Sequence, residues 1–314
     1  MIKRYDAIRS LNLRFPGLEN HIKFDVNKDI FLFYRMFVDD PDFLICALIQ
    51  NPYGPTKIGK IKTAFGDVVA ENIKILNRLH GFDKSILRSY VRYEKIIILF
   101  LLNFKFIFED KKNRMTKKVF NGKKVRYAMK LLEETRISQV KNNLEDLFFS
   151  FLKPEIYDHY SSLLNLTKSI YLNREREIKK KFEKILEKEM IKVKTETRLK
   201  SVCSIHKKII KKNILLSQVL DVIGLRLIVE NEAECYKVMG IILAHYPVIL
   251  NKIKDYIAIP KENGYESIHL TILHGNYPLE IQIRTEEMHA IAQYGKASHY
   301  NYKKYESRRK PIAA

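Results

Sequence analysis

Two acidic residues stand where a carboxylate is expensive. Asp221 lies in the run Val219-Leu220-Asp221-Val222-Ile223, and Glu280 alternates with apolar residues in Leu279-Glu280-Ile281-Gln282-Ile283-Arg284. A carboxylate in such a run is costly to bury unless it is paired with a cation or holds a metal. The two-residue period of a strand sends Leu279, Ile281 and Ile283 to one face and Glu280, Gln282 and Arg284 to the other. Two carboxylates on neighbouring strands can share one Mg2+, which prefers hard oxygen ligands and usually keeps substrate phosphates in its shell. Cations crowd the same stretch of chain: Arg198, Lys200, Lys207, Lys208, Lys211 and Lys212 in one group, Lys252, Lys254 and Lys261 in another. Arginine can fork onto phosphate or stack on a base, and lysine acts as a point charge for phosphate. The loop at 259–269 joins the turn residues Pro260, Asn263 and Gly264 to Tyr265 and His269. A tyrosine on a turn either stacks on a nucleobase or covers apolar surface. Together the acid pair, the basic groups and the aromatic turn describe a nucleotide site for phosphoryl-type transfer. The sequence contains neither a P-loop nor a glycine-rich kinase loop.

These residues need a framework. The β-branched stretch 220–231 predicts a strand, 232–246 an amphipathic helix, and 267–285 two strands joined by a Gly275-Asn276-Tyr277-Pro278 turn. Residues 286–304 return to helix. Strands and helices in this order predict an α+β domain whose sheet forms a floor. Upstream the chain reads as mostly helical. Ile58, Ile61, Phe65, Val68 and Val69 keep a helical rhythm after the break at Asn51–Pro55. Leu144, Leu147, Phe148, Phe151 and Leu152 form a second stripe, Pro154 interrupts it, and Ile156, Tyr160, Leu163 and Leu164 resume it. In 173–190, Ile178, Phe182, Ile185 and Leu186 share one face and the charges form a solvated one.

The stretch 195–304 resembles the synthetase domain of the RelA/SpoT homologue family. The matching blocks are RLKSVCSIHKK (198–208), DVIGLRLIV (221–229), KDYIAIPKENGYESIH (254–269), EIQIRTEEMH (280–289) and YGKASHYNYK (294–303). The resemblance implies a nucleotidyltransferase-like mixed sheet that moves pyrophosphate from ATP to the ribose 3′-hydroxyl of GDP or GTP, giving ppGpp or pppGpp and releasing AMP. It implies that Asp221 holds Mg2+ and that Glu280 binds the metal, acts as general base on the 3′-hydroxyl, or both. It places Arg198 and Arg226 about the adenine and Lys200, Ser204 and Lys208 on the ATP phosphates. Tyr265 would stack on guanine, with Lys254, Lys261, Asn263, Gln282 and His269 completing the acceptor side. The chain departs from the family pattern at Thr197, Cys203, His206, Gln293 and Tyr300, none of them assigned to the metal or the attack. Lys252-Ile253-Lys254-Asp255 resembles the basic version of a motif that tunes preference between GDP and GTP, without deciding it here.

The N-terminal half resembles the same family's HD hydrolase domain in a degenerate form. ALIQNPYGPTKIGKIKTAFGDVVAENI (47–73) aligns with its metal-binding stretch, but Gln50 and Asn51 replace the His-Asp pair, and Tyr53-Gly54 or a near neighbour replaces Glu-Asp. Amides cannot replace the charge that holds a metal and activates water. The expectation is a hydrolase fold without Mn2+ and without its reaction, with Asp110 as a remnant of a later ligand. The expected organisation is a helical HD-like domain at 1–138, a helical connector at 139–194 and the synthetase domain at 195–314. The regulatory domains of the family's long members are not expected, nor ribosomal control through them.

Composition bounds the alternatives. The 314 residues carry a net charge of +21 with 46% hydrophobic residues, which excludes a disordered chain. That charge implies an anionic partner, or reflects a coding bias toward Lys, Ile and Asn. Cys46, Cys203 and Cys235 have neither a disulfide-scaffold nor a zinc spacing and suit a reducing compartment. The most apolar run, 96–108, is too short for a membrane span, and a cytoplasmic protein is expected. Two other readings stay open: a toxin-like pyrophosphokinase acting on the 3′ end of tRNA, and a non-catalytic nucleotide-binding regulator.

Overall fold

The computed structural model describes residues 8, 11–13, 15–23, 25–109, 121–135, 137–219, 221–261, 264–274 and 277–294. The chain divides into two compact units. One runs to Phe148 and takes in Tyr294; the other is Phe149–Gln293. The connector expected at 139–194 falls across this division.

The first unit is helical: α1 (Val26–Tyr34), α2 (Pro41–Ile49), α3 (Ile61–His80), α4 (Tyr90–Glu109), α5 (Gly122–Glu134) and most of α6 (Ser138–Leu152). Helix α2 starts where the sequence provides a cap. The Asp40 carboxylate accepts from the Asp42 N–H at 3.1 Å, and Pro41 occupies a position whose missing N–H costs nothing. Helix α3 breaks at Gly66, whose φ of +86° is a conformation that only glycine adopts cheaply. The apolar run of α4 is buried almost all round, with Ile97, Leu99, Phe100, Leu101 and Leu102 fully covered. It is the central helix of this unit, and among the described residues no helix is long and apolar enough to cross a membrane.

The second unit is α+β. Helix α7 (Pro154–Lys188) leads to β1 (Lys194–Leu199), α8 (Val202–Lys212), β2 (Ile223–Val229), α9 (Glu232–His245), β3 (Lys254–Asp255), β4 (Ile268–His274), β5 (Tyr277–Thr285) and α10 (Glu286–Tyr294). The strands form one mixed sheet in the order β1-β2-β5-β4-β3, with β2 and β5 parallel and the other pairs antiparallel. One face carries Leu225, Leu227, Ile268, Leu270, Ile281 and Ile283, which pack against Ile178, Phe182 and Leu186 of α7 and Val238 and Ile242 of α9. Burying each such side chain contributes about 1.5–3 kcal/mol, so this face fixes which side of each strand turns away.

Two expectations need correcting. Asp221 does not begin the strand; it sits in a turn two residues ahead of β2. Tyr277 and Pro278, expected in the turn, belong to β5, paired with His274 and Leu273. Strand β1 has no counterpart in the sequence reading, because Lys-Thr-Glu-Thr-Arg-Leu has almost no apolar content and lies at the sheet's edge.

Candidate active site on the polar face of the sheet

Strand register sets the positions of the polar groups. One row across the sheet reads Arg198, Gly224, Glu280 and Thr271; the next reads Glu196, Arg226, Gln282, His269 and Lys254. Gly224 leaves a gap between its neighbours, and the Arg198 guanidinium donates to Glu280 Oε2 at 2.9 Å. Gln282 donates to the same oxygen at 2.9 Å, and His269 Nδ1 lies 3.6 Å from Oε1, an ion-pair distance beyond hydrogen bonding. Burial pushes the Glu280 carboxyl up and the charge of Asp221 adds to this. The neighbouring His269 and Arg198 outweigh both, so Glu280 titrates below the ordinary glutamate range.

Asp221 has its own cations. Lys200 Nζ donates to Oδ2 at 2.6 Å and Lys208 Nζ to Oδ1 at 2.5 Å. Lys200 is placed by its backbone N–H, which donates to the Val222 carbonyl at 3.0 Å. Lys208 is placed by α8, whose first turn is capped by Ser201, the hydroxyl accepting from the Ser204 N–H at 3.1 Å. Burial raises the Asp221 carboxyl, but the two ammonium groups win and hold it down at about 2.

On the other side of Glu280, the Tyr265 hydroxyl lies 2.9 Å from His269 Nε2. A phenol donating into Nε2 leaves the ring proton on Nδ1, facing Glu280. Tyr256 and Tyr265 stand edge-on to the His269 ring at 5.3 and 5.7 Å between centroids. The Lys261 ammonium lies over both tyrosines, 4.4 and 5.1 Å from their ring centres.

Asp221, Glu280, Arg198, Lys200, Ser204, Lys208, Arg226, Gln282, His269, Tyr265 and Lys261 are thus brought to one end of the sheet and its flanking turns. Lys254 is exposed, opposite His269 in register. Asn263, Asp110 and residues 295–303 of the last matching block lie outside the described residues. Four further residues belong to the arrangement without having been singled out for a role in the sequence. Gly224 is one. Glu196, two residues before Arg198 on the same strand face, sits 3.9 Å from Arg226 and 3.6 Å from His289. Arg284, fully buried, donates to His289 Nδ1 at 2.9 Å. That bond assigns the imidazole proton to Nε2, on the side of Glu196, and burial followed by the Arg284 charge lowers His289 to about 4.

In the first unit, Gln50 is fully buried and exchanges two hydrogen bonds with Asn103, at 2.9 and 3.0 Å. The Asn51 amide donates to the Pro55 carbonyl and accepts from the Tyr53 N–H. Both side chains are spent on protein groups, and this donor set does not fit a Mn2+ site.

Residues 197–307 match the family described as a region found in RelA / SpoT proteins. This region belongs to the RelA/SpoT family. Over 107 residues, 34% of this chain, it is 47% identical to a probable chloroplastic GTP diphosphokinase of Arabidopsis thaliana. Over 147 residues, 47% of its length, this chain is 37% identical to a probable guanosine-3′,5′-bis(diphosphate) 3′-pyrophosphohydrolase of Mycoplasma pneumoniae. The match spans only 15% and 20% of those proteins' own lengths. The crystal structure of small alarmone synthetase 1 from Bacillus subtilis, bound to its product pppGpp, aligns with a TM-score of 0.38 at 23% identity over 48% of this chain and 96% of that one. That likeness is too slight to bear on the chemistry. Every polar residue of the sheet site discussed above except Glu196 falls within the matched span.

Proposed function

We propose that the chain transfers pyrophosphate from ATP to the 3′-hydroxyl of GDP or GTP, and that its N-terminal unit does not hydrolyse the product. One observation carries the reading: in a RelA/SpoT region, Asp221 and Glu280 are each held by cations, the charge of Asp221 is felt at Glu280, and Tyr265 meets the His269 that stands beside Glu280.

The two carboxylates fit Mg2+. They are deprotonated hard-oxygen donors whose charges act on each other. A pair of carboxylates suffices, because Mg2+ commonly takes one or two from the protein and fills its shell with water and phosphate. When bound, the ion would neutralise charge on the phosphates being transferred.

The chain's own groups account for the remainder. The 3′-oxygen forms a bond to the β-phosphorus of ATP, the bond from that phosphorus to the oxygen bridging to the α-phosphate breaks, and AMP leaves with that oxygen. In this reading Glu280 accepts the 3′-hydroxyl proton. With Arg198 against it, the carboxylate is a weak base; once Arg198 turns to the adenine of ATP, as the family resemblance implies, that restraint is lifted and Glu280 becomes more basic. Lys200 and Lys208 exchange Asp221 for the ATP phosphates, and the Tyr265 ring offers a face for guanine. Cations aimed at the transferred group are worth about 3 kcal/mol of barrier each.

The test is incubation with ATP, Mg2+ and GDP or GTP, with the nucleotides separated by thin-layer chromatography. AMP and a 3′-pyrophosphorylated guanine nucleotide should appear together. Label on the 3′ end of tRNA alone would replace the acceptor, and absence of AMP with every acceptor would leave a binding protein.

A further inference from the structure

The N-terminal unit holds a cavity of about 460 Å3 that the transferase reading does not use. Its walls are unusual in charge. Lys23, Lys57 and Lys60 line it, and among the described residues no Asp or Glu does so. All three lysines are exposed, and among the described residues none of their ammonium groups makes an ion pair or hydrogen bond. Three like charges facing one hollow repel each other and favour an anionic occupant. The apolar wall is supplied by Ile49, Pro55 and Ile61, with His21 set edge-on against Phe65, 4.9 Å between ring centres.

Part of the lining is a pinned loop. The Asn51 N–H donates to Thr56 Oγ1 at 2.7 Å, and the Asn51 side chain bridges Tyr53 and Pro55. The Asn77 side chain grips the Thr56 backbone from both sides, at 2.7 and 2.8 Å. Because Thr56 Oγ1 accepts from Asn51, its own proton is left to donate elsewhere. A pinned loop, one hydroxyl donor, three cations and an apolar wall make a preformed receptor of the size that small ligands occupy.

We propose that this cavity is a metal-independent binding site for a small phosphorylated anion, its phosphate held by Lys23, Lys57 and Lys60 and its flat or apolar body lying on Ile49, Pro55 and Ile61. Asn51 takes part as a loop fastener, not as a metal ligand. The inference is independent of the chemistry assigned to the sheet.

Pyridoxal 5′-phosphate tests it directly, since it carries a phosphate on a flat ring and its aldehyde condenses with a nearby lysine amine, releasing water. The full-length protein would be treated with this probe in EDTA, reduced with borohydride, and mapped by peptide mass spectrometry, so that labelling at this cavity and at the sheet are read separately. Labelling at Lys23, Lys57 or Lys60 should be about tenfold faster than at the exposed Lys184 and Lys188, corresponding to about 1.4 kcal/mol of added affinity. Inorganic pyrophosphate should suppress it, and in the exposed-residue variant K57E/K60E the excess labelling of Lys23 should disappear. Labelling no faster than at Lys184 and Lys188, or protection by pyrophosphate only when a divalent cation is added, would overturn the proposal.

Discussion

Gly224 and Glu280 lie side by side across the parallel strands β2 and β5, and a Cβ placed on Gly224 would come within 2.9 Å of the Glu280 carbonyl oxygen. The obstacle is backbone, which cannot swing aside as a side-chain end can. The same missing side chain leaves the row open between Arg198 and Glu280. Gly224→Ala should therefore lower stability by about 1–3 kcal/mol, the range for overpacking, which exceeds the ~0.4–1 kcal/mol that a Gly→Ala change can return through the unfolded chain. Transferase activity should fall by about 100-fold, as expected when catalytic groups shift by an ångström. Urea unfolding and the product assay check both; an unchanged midpoint with unchanged activity would contradict the close approach.

The two tyrosine functions can be separated. Tyr265→Phe keeps the ring and removes the hydroxyl that lies 2.9 Å from His269. Its main effect should be on kcat, by about tenfold, because the imidazole loses the partner that fixes its tautomer beside Glu280. Tyr265→Ala should in addition raise KM for GDP or GTP, since a stacked base is worth about 1–3 kcal/mol. Equal effects from the two variants would argue against stacking.

Acid should act through Asp221. Its folded carboxyl is held down at about 2 against an ordinary value of 3.8. The stabilisation is complete above about pH 4 and is lost as the pH falls through about 2. In Asp221→Asn the loss of stability between pH 4 and 2 should be shallower than in the parent, while stability at pH 7 drops because Lys200 and Lys208 are left without their partner. Parallel pH profiles of the two proteins, by circular dichroism in urea, would contradict the assignment.

A second titration belongs to the N-terminal unit. Lys124 Nζ meets His80 Nδ1 at 3.1 Å in a buried setting. Burial lowers Lys124 to about 8, while burial and the Lys124 charge lower His80 to about 3. Both groups take protons more readily when unfolded. Stability should decline as the pH falls from about 6.5 toward 3 through His80, and should rise from about pH 8 toward 10 through Lys124. Lys124→Met should stabilise the protein at pH 7 and abolish the alkaline rise, as urea midpoints across pH will show.

Much of the candidate site was legible because strand alternation is a strong signal. Glu280, Gln282 and His269 fall on the polar face, as the period of two demands, and the apolar partners Ile281, Ile283 and Leu270 lie opposite in the core. Strand β1 was not legible, since an edge strand needs little apolar content, and with it Glu196 was missed. Gly224 gave no sign either, because a glycine in an apolar run shows its purpose only when the neighbouring backbone is in view. The exchange of hydrogen bonds between Gln50 and Asn103 joins residues far apart in sequence and has no local signature. The cavity lysines were passed over for a different reason: Lys23, Lys57 and Lys60 are scattered in a chain rich in lysine, and only the fold gathers them.

The central claim is that Asp221 and Glu280 act together on one phosphoryl transfer. The direct measurement is AMP and 3′-pyrophosphorylated guanine nucleotide formed from ATP and GDP or GTP by the parent, Asp221→Asn and Glu280→Gln, and by the double variant. The account predicts both products in equal amounts from the parent, a fall of about 100-fold or more in each single variant, and little further loss in the double variant, as for residues that act as a unit. A parent protein without either product, or a Glu280→Gln variant that retains full activity, would contradict it.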